Sequence, residues 1–233
     1  MHIDVAAMLF YIVYMTDNTT LSDLDRLTQA ALPHVGFDGW SDETLRRACE
    51  DTQINADAAL LAAPRGVLDI IANWSAQMDA EMLARMDAAD LKSMKIRQRV
   101  TFAVQSRLEA IGTHDEAARR ARARLLLHDA ATLGAELIWA TSDAIWTGLS
   151  DPSTDFNWYS KRAVLSAVYT SSLAAWLNDE TPEKAKAKAF LDRRIENVME
   201  FEKAKANFRK LTKDLPDPAR VLAGLRYGGR RRA

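Results

Sequence analysis

Apolar positions recur along this chain at the three-to-four-residue spacing of one helix face, and almost nowhere at the two-residue spacing of a strand. Leu21, Leu24, Leu27 and Ala31 predict a first helix from about Thr20 to Leu32, ended by Pro33-His34-Val35-Gly36-Phe37-Asp38-Gly39. Ser41 is suited to cap a second helix running to about Thr52, and Asp42 and Glu43 favour its first turn. A third, short helix from about Asn55 to Ala63 stops before Pro64. Helix, short helix, turn, short helix is the order of a helix-turn-helix module. Beyond Arg65 the helices lengthen. Val67, Leu68, Ile71, Trp74, Met78, Met82 and Met86 mark one, and Ile96, Val100, Val104, Leu108 and Ile111 mark another, closed by Gly112. A basic-faced helix from His114 to about His128 and one from Leu133 to about Trp146 follow.

After the loop Asp151-Pro152-Ser153 comes a helix of about six turns, Phe156 to Leu177, opening on Trp158-Tyr159 and then Lys161-Arg162. Thr181-Pro182-Glu183 reads as a helix start with proline at the first position. That helix carries Phe190, Leu191, Ile195, Val198, Phe201 and Phe208 to about Lys213, where Pro216 and Pro218 break it. A last short helix, Pro218 to Tyr227, precedes an Arg-rich tail. The expected fold is all-α, nine or ten helices. Its expected divisions are an ill-defined segment 1–18, a helix-turn-helix module 19–63, a helical body 64–213 and a terminal helix with basic tail 214–233.

Composition narrows the class. The 233 residues are 48% hydrophobic and 27% charged, as in a soluble globular protein. Six prolines and nine glycines supply little turn chemistry for sheets. A lone cysteine, Cys49, excludes a disulfide framework and a thiolate metal site, and fits a reducing cytosolic or matrix compartment. A net charge of −1 hides polarity. Residues 1–63 hold ten acids against three bases, a net of −7; residues 184–233 hold fifteen bases against six acids, a net of +9. The two ends therefore suit different partners, unless these are only solvated helix faces.

At the N-terminus, Val5 to Met15 is apolar for eleven residues, too short to span a bilayer. It lacks the basic flank of a signal peptide and the arginines of a transit peptide. Either Met15 is the true start, or the segment is an extra helix or weak interfacial anchor.

The module-plus-body order resembles a TetR-type regulator, and a ligand-responsive transcription regulator is the competing reading. The candidate recognition helix, however, reads Asn55-Ala56-Asp57-Ala58-Ala59-Leu60-Leu61-Ala62-Ala63, with no Lys or Arg. Phosphate neutralisation dominates nucleic-acid affinity, so a net-acidic module with Asp57 in that helix predicts no nucleic-acid binding. It fits a retained packing or dimer-supporting element.

Catalytic chemistry has no foothold. His2, His34, His114 and His128 are scattered, with no second ligand at metal spacing. There is no Glu-x-x-His pair, phosphate loop or nucleotide fingerprint. Ser166 and Ser171 lie mid-helix with no base nearby in sequence. The expectation is a non-enzymatic binding protein without cofactor or metal; an enzyme with a dispersed site has no positive support.

One stretch is more specific. Asp155-Phe156-Asn157-Trp158-Tyr159-Ser160-Lys161-Arg162-Ala163-Val164-Leu165, then Val168-Tyr169 and Asn178-Asp179, resembles the signature of the Coq nine family, accessory proteins of ubiquinone biosynthesis. Phe190 to Ile195 (FLDRRI), Leu32 to Ser41 (LPHVGFDGWS) and, more weakly, Pro64 to Ile71 (PRGVLDII) extend the resemblance over Leu21 to Leu211. It implies a TetR-like fold without DNA binding, an interior cavity for an isoprenoid lipid or quinone precursor, a membrane-touching C-terminal helix and a homodimer. It implies a quinone hydroxylase as partner, Coq seven in the eukaryotic family, docking on a patch that would hold Trp158, Tyr159 and Ile145. Without transit-peptide features the chain resembles a bacterial member, cytoplasmic and peripheral at the inner membrane; eukaryotic relatives belong to the mitochondrial matrix. In a bacterial member another hydroxylase could act at the same step.

The residues carry these implications unequally. Trp158 and Tyr159 are adjacent and so point about 100° apart on a helix; both cannot be central core, and both sit at the end of the stripe Leu165, Val168, Tyr169, Leu173, Trp176, Leu177. They are interface anchors or a helix-start pair folded onto its own loop. A lipid cavity would draw walls from Leu133, Leu137, Ile138, Leu165, Val168, Tyr169 and Leu173, the alternative being an ordinary packed core. Val221, Leu222, Leu225 and Tyr227, flanked by Arg220, Arg226 and the terminal arginines, suit an anionic membrane surface or form a basic disordered tail.

Overall fold

A computed structural model describes residues 21–212. The terminal helix expected at Pro218–Tyr227, with Arg220, Val221, Leu222, Leu225, Arg226 and Tyr227, and the apolar segment at Val5–Met15 lie outside the described residues. Among the described residues the chain forms nine α-helices and no strand. They are α1 (Asp23–Asp38), α2 (Asp42–Thr52), α3 (Ala56–Ala62), α4 (Val67–Ala88), α5 (Ile96–Glu109), α6 (Asp115–Leu125), α7 (Ala131–Gly148), α8 (Asp155–Leu177) and α9 (Ala185–Thr212). Short 3-10 turns sit at Leu91–Ser93 and Pro182–Lys184.

Local chemistry explains most boundaries. Ser22 and Asp25 form a reciprocal capping box at the start of α1. Ser41 caps α2, and the Asn55 side chain accepts from the Ala58 N–H at 2.9 Å to cap α3. Two expectations are corrected. Helix α1 continues through Pro33 to Asp38 instead of stopping at Leu32. Proline removes one N–H from the helix ladder, but Ala31 and Val35 on either side are fully buried, and that packing carries the helix across the gap. At the other end, Pro182 opens only a 3-10 turn, because Glu183 and Lys184 adopt positive φ. The α-helix begins at Ala185, where buried Asp179 accepts from the Ala187 N–H at 2.8 Å. The Thr181 hydroxyl first, and these backbone donors after it, hold the Asp179 carboxyl at about 2.

The chain divides into two compact units, 1–191 and 192–233. In the first, α4 is the central helix: Ile70, Ile71, Trp74, Met78, Met82 and Met86 are all buried, and α1, α5 and α7 pack around it. The core continues through Leu27, Val104, Leu108 and Ile145. Of the second unit, residues 192–212 are described, and they continue α9.

A polar knot ties α1 to α4. Asp25 Oδ1 accepts from Asn73 Nδ2 at 3.0 Å and Gln77 Nε2 at 2.8 Å, and Asn73 also donates to Thr28 Oγ1 at 2.9 Å. Hydrogen bonds from Ser22 and Asn73 outweigh burial and lower the Asp25 carboxyl from 3.8 to about 2. A depressed folded-state pKa stabilises above the unfolded value and is lost as pH falls through the folded one. Urea unfolding should therefore show stability falling between about pH 4 and pH 2, and Asp25→Asn should flatten that segment. Equal slopes in the two proteins would show that the knot does not couple protonation to folding.

Candidate functional site

A cavity of about 360 Å³ opens in the first unit between α4, α5, α6, α7 and α8. Its volume is near the lower end of the roughly 300–1,000 Å³ typical of small-molecule sites. Ile71, Trp74 and Met78 form the wall from α4, and Ile111 lies just past α5. Leu125 and Leu126 border it at the end of α6, where Leu126 is 73% exposed and marks the solvent side. Gly134 allows that end of α6 to rest on α7: a β-carbon there would stand 3.1 Å from the Leu125 carbonyl oxygen.

Four residues expected from the sequence line this cavity: Leu137 and Ile138 on α7, Tyr169 and Leu173 on α8. Leu133, Leu165 and Val168 do not border it; they are buried in packing between helices. Leu165 lies one turn before Tyr169, so the α8 stripe runs on past the end of the cavity; Leu133 lies between the lining residues Ala131 and Gly134 but is turned about 100° from Gly134. Val168 is turned about 100° from Tyr169. The α4, α5 and α6 walls were not expected. Their signal was faint: Ala118 and Ala121 are small residues that leave room, and Arg107 is a lone cation among the apolar positions of α5.

That arginine is the unusual feature. Arg107 is 2% exposed and borders the cavity. Its Nε donates to Asp79 of α4, and its Nη2 donates to Ser75 Oγ at 3.0 Å and Ser75 O at 3.4 Å. Thr141 of α7 donates to Asp79 Oδ1 at 2.9 Å. The guanidinium also lies 5.7 Å from the Tyr169 ring centroid. Burial pushes the Tyr169 phenol up despite the opposing pull of Arg107, so it is a neutral hydroxyl at physiological pH.

At the other end of α8 is an aromatic cluster. Trp158 and Tyr159 pack edge to face, ring centroids 4.8 Å apart, and Trp139 of α7 lies 5.9 Å from Trp158. Tyr159 is 61% exposed and Trp158 is half-buried. Beneath Trp158, buried Arg162 stacks at 3.8 Å from the ring centroid and pairs with Asp143 at 2.5 Å. Lys161 bonds Asp151 at 2.6 Å and so fastens the preceding loop. Ile145, expected in the same patch, is fully buried. It lies six residues after Trp139 on α7, about 240° around the helix, and belongs to the core.

Tyr159→Ala should leave stability within about 0.5 kcal/mol, as for other exposed positions. Trp158→Ala should cost about 1–2 kcal/mol, because it uncovers Arg162. Thermal melts of the two variants would separate them, and equal losses would contradict this layering.

The remaining chemistry is sparse. Burial raises the Cys49 thiol, which keeps it protonated. Among the described residues no group of His, Cys, Asp or Glu could hold a metal ion, and no helix is long and apolar enough to cross a membrane. Helix α3 bears Asp57 and exposes Leu60 (65%) and Leu61 (84%).

The helices that build both the cavity's far wall and the aromatic cluster carry the decisive comparison: the sequence profile of the COQ9 family matches residues 131–202. The chain is similar to COQ9 proteins. It is 28% identical over 180 residues to the mitochondrial ubiquinone biosynthesis protein COQ9 of Rattus norvegicus, covering 75% of this chain and 58% of that protein. It is 26% identical over 182 residues to COQ9 of Homo sapiens, covering 75% of this chain and 57% of that protein. The chain thus spans less than two thirds of the length of these COQ9 proteins. Among solved structures, a TetR transcriptional regulator from Nitrosomonas europaea ATCC 19718 superposes with a TM-score of 0.62 at 16% identity, covering 74% of this chain and 95% of that one. The fold of this COQ9-like chain is therefore all-α and TetR-like.

Proposed function

We propose that this chain is a non-enzymatic accessory protein of ubiquinone biosynthesis, which takes a hydrophobic quinone precursor into its cavity and presents it to a hydroxylase at the membrane. The observation that carries the reading is the 360 Å³ apolar-walled cavity in a COQ9-like body. An isoprenoid substrate is costly to expose to water, and a cavity of this kind lowers that cost during transfer. The exposed Tyr159 beside Trp158 and Trp139 supports docking of the hydroxylase on this face, since aromatic anchors dominate such interfaces. Exposed Ala163, Val164 and Ala167 on α8 suit the contact of a homodimer. The Arg-rich C-terminus suits peripheral attachment to an anionic inner membrane.

A transcription regulator is the reading the fold alone would favour. The residues of α3 favour it less, because Asp57, Leu60 and Leu61 offer phosphate neither cation nor donor.

Organic extraction of protein purified from its native host, followed by mass spectrometry, should recover an isoprenoid or quinone-type lipid. A deletion strain should accumulate a hydroxylase substrate of the quinone pathway. Lipid-free protein together with an unchanged quinone profile would overturn the proposal.

A further inference from the structure

Apart from Arg122 on the solvent side, the cavity wall is largely apolar except at one inner corner, and the hydrogen-bond inventory of that corner is incomplete. A guanidinium has five N–H donors. In Arg107 the Nε–H is taken by Asp79, and the two Nη2–H groups reach the hydroxyl and the carbonyl of Ser75. The two Nη1–H groups have only the Met78 sulfur, at 3.2 Å. A thioether is a weak acceptor, so a donor bordering the cavity lacks an oxygen. Tyr169, 4% exposed, borders the same cavity, and among the described residues its hydroxyl has no hydrogen-bond partner. A guanidinium edge held only by a thioether and a hydroxyl open to the cavity leave hydrogen-bonding capacity unused, and they share one cavity and one cation–π contact.

The charge at this corner is already balanced. Asp79 neutralises Arg107 and is itself held by Thr141. A second carboxylate or a phosphate would bring an unmatched charge into an apolar cavity, which burial strongly disfavours. A neutral oxygen acceptor meets both donors without that penalty. The other cation on the wall, Arg122, is exposed, so it lies on the solvent side and not at this corner.

We propose that Arg107 Nη1 and the Tyr169 hydroxyl bind the head of an amphiphile through a neutral carbonyl oxygen, so that the ligand enters head first and its chain leaves past Leu126. This rests on the cavity being a ligand site, and it adds the ligand's orientation and the chemistry of its head. A volume of 360 Å³ suits a ring and a short length of chain. A longer chain extends through the opening.

Three probes test it with the full chain: a decyl-substituted benzoquinone, decylbenzene without carbonyls, and a fatty acid of matching length. Quinone binding is read by quenching of tryptophan fluorescence, since Trp74 is in the wall; the other two are read by competition. The quinone should bind at least about tenfold more tightly than decylbenzene, the scale of one good hydrogen bond. Tyr169→Phe, which keeps the ring, should reduce that preference to about threefold or less and leave decylbenzene affinity unchanged. Arg107→Lys should do the same, and if it fails to fold, Tyr169→Phe still decides. Equal affinity of quinone and decylbenzene in the unaltered protein would overturn the head-group proposal while leaving the cavity as an apolar site. Preference for the fatty acid, abolished by Arg122→Gln, would overturn it in favour of a ligand whose head faces solvent. Failure of all three probes to bind would overturn the cavity reading as well.

Discussion

Asp79→Ala should destabilise the protein by about 3–5 kcal/mol, because it leaves the Arg107 guanidinium buried with no counter-charge. For a chain of this size that lowers Tm by roughly 6–20 °C. The pair joins α4 to α5 and, through Thr141, to α7, so three walls of the cavity lose their common anchor at once. Removing both charges together should be milder. Asp79→Leu with Arg107→Met replaces the pair with apolar volume, and such exchanges are often neutral or stabilising, here offset by the unpaired hydroxyls of Thr141 and Ser75. Thermal melts of the single and double variants give the coupling directly. Losses that simply add would mean that the two groups are not energetically paired.

Trp40→Ala should cost about as much, 3–5 kcal/mol on the scale of large-to-small changes in cores. Trp40 is 6% exposed, its Nε1 donates to the Ala117 carbonyl at 3.0 Å, and its ring lies 5.9 Å from that of Trp74. It therefore pins the link between α1 and α2 to α6 and backs a tryptophan that lines the cavity. Trp40→Phe keeps most of the packing and loses one hydrogen bond, for about 1 kcal/mol plus the lost ring volume. Denaturant unfolding of the two variants checks the order. A loss below about 1 kcal/mol for Trp40→Ala would mean that the N-terminal helices are only loosely attached.

Helix periodicity and caps made the fold legible because each cue is local. Ser41, Asn55 and the stripe from Val67 to Met86 act within one or two turns of themselves. Pro33 misled for the same reason: its local penalty is real, but the burial of Ala31 and Val35 that overrides it comes from other helices. The start of α9 departs from the local cue at Pro182 in the same way, since Asp179 caps it across the turn.

The candidate site was legible only on the helices where the resemblance was densest. Leu137, Ile138, Tyr169 and Leu173 were within reach of an argument about α7 and α8, whereas Trp74, Met78 and Ile111 enter through tertiary packing. An apolar stripe does not reveal where packing stops and a void begins, so Leu133, Leu165 and Val168 read in sequence like the wall residues beside them. Ile145 shows the converse: a neighbour in sequence to the aromatic cluster is on the far side of its own helix. Arg107 alone gave a local sign, a charge on an apolar face, which demands a buried partner.

At Gly134, with the Leu125 carbonyl 3.1 Å from the position of an absent β-carbon, α6 and α7 stand nearer than a residue with a side chain would ordinarily allow. A larger residue at 134 would require Leu125 to give way by a few tenths of an ångström. The contact at the cavity border thus depends on the absence of a side chain at 134.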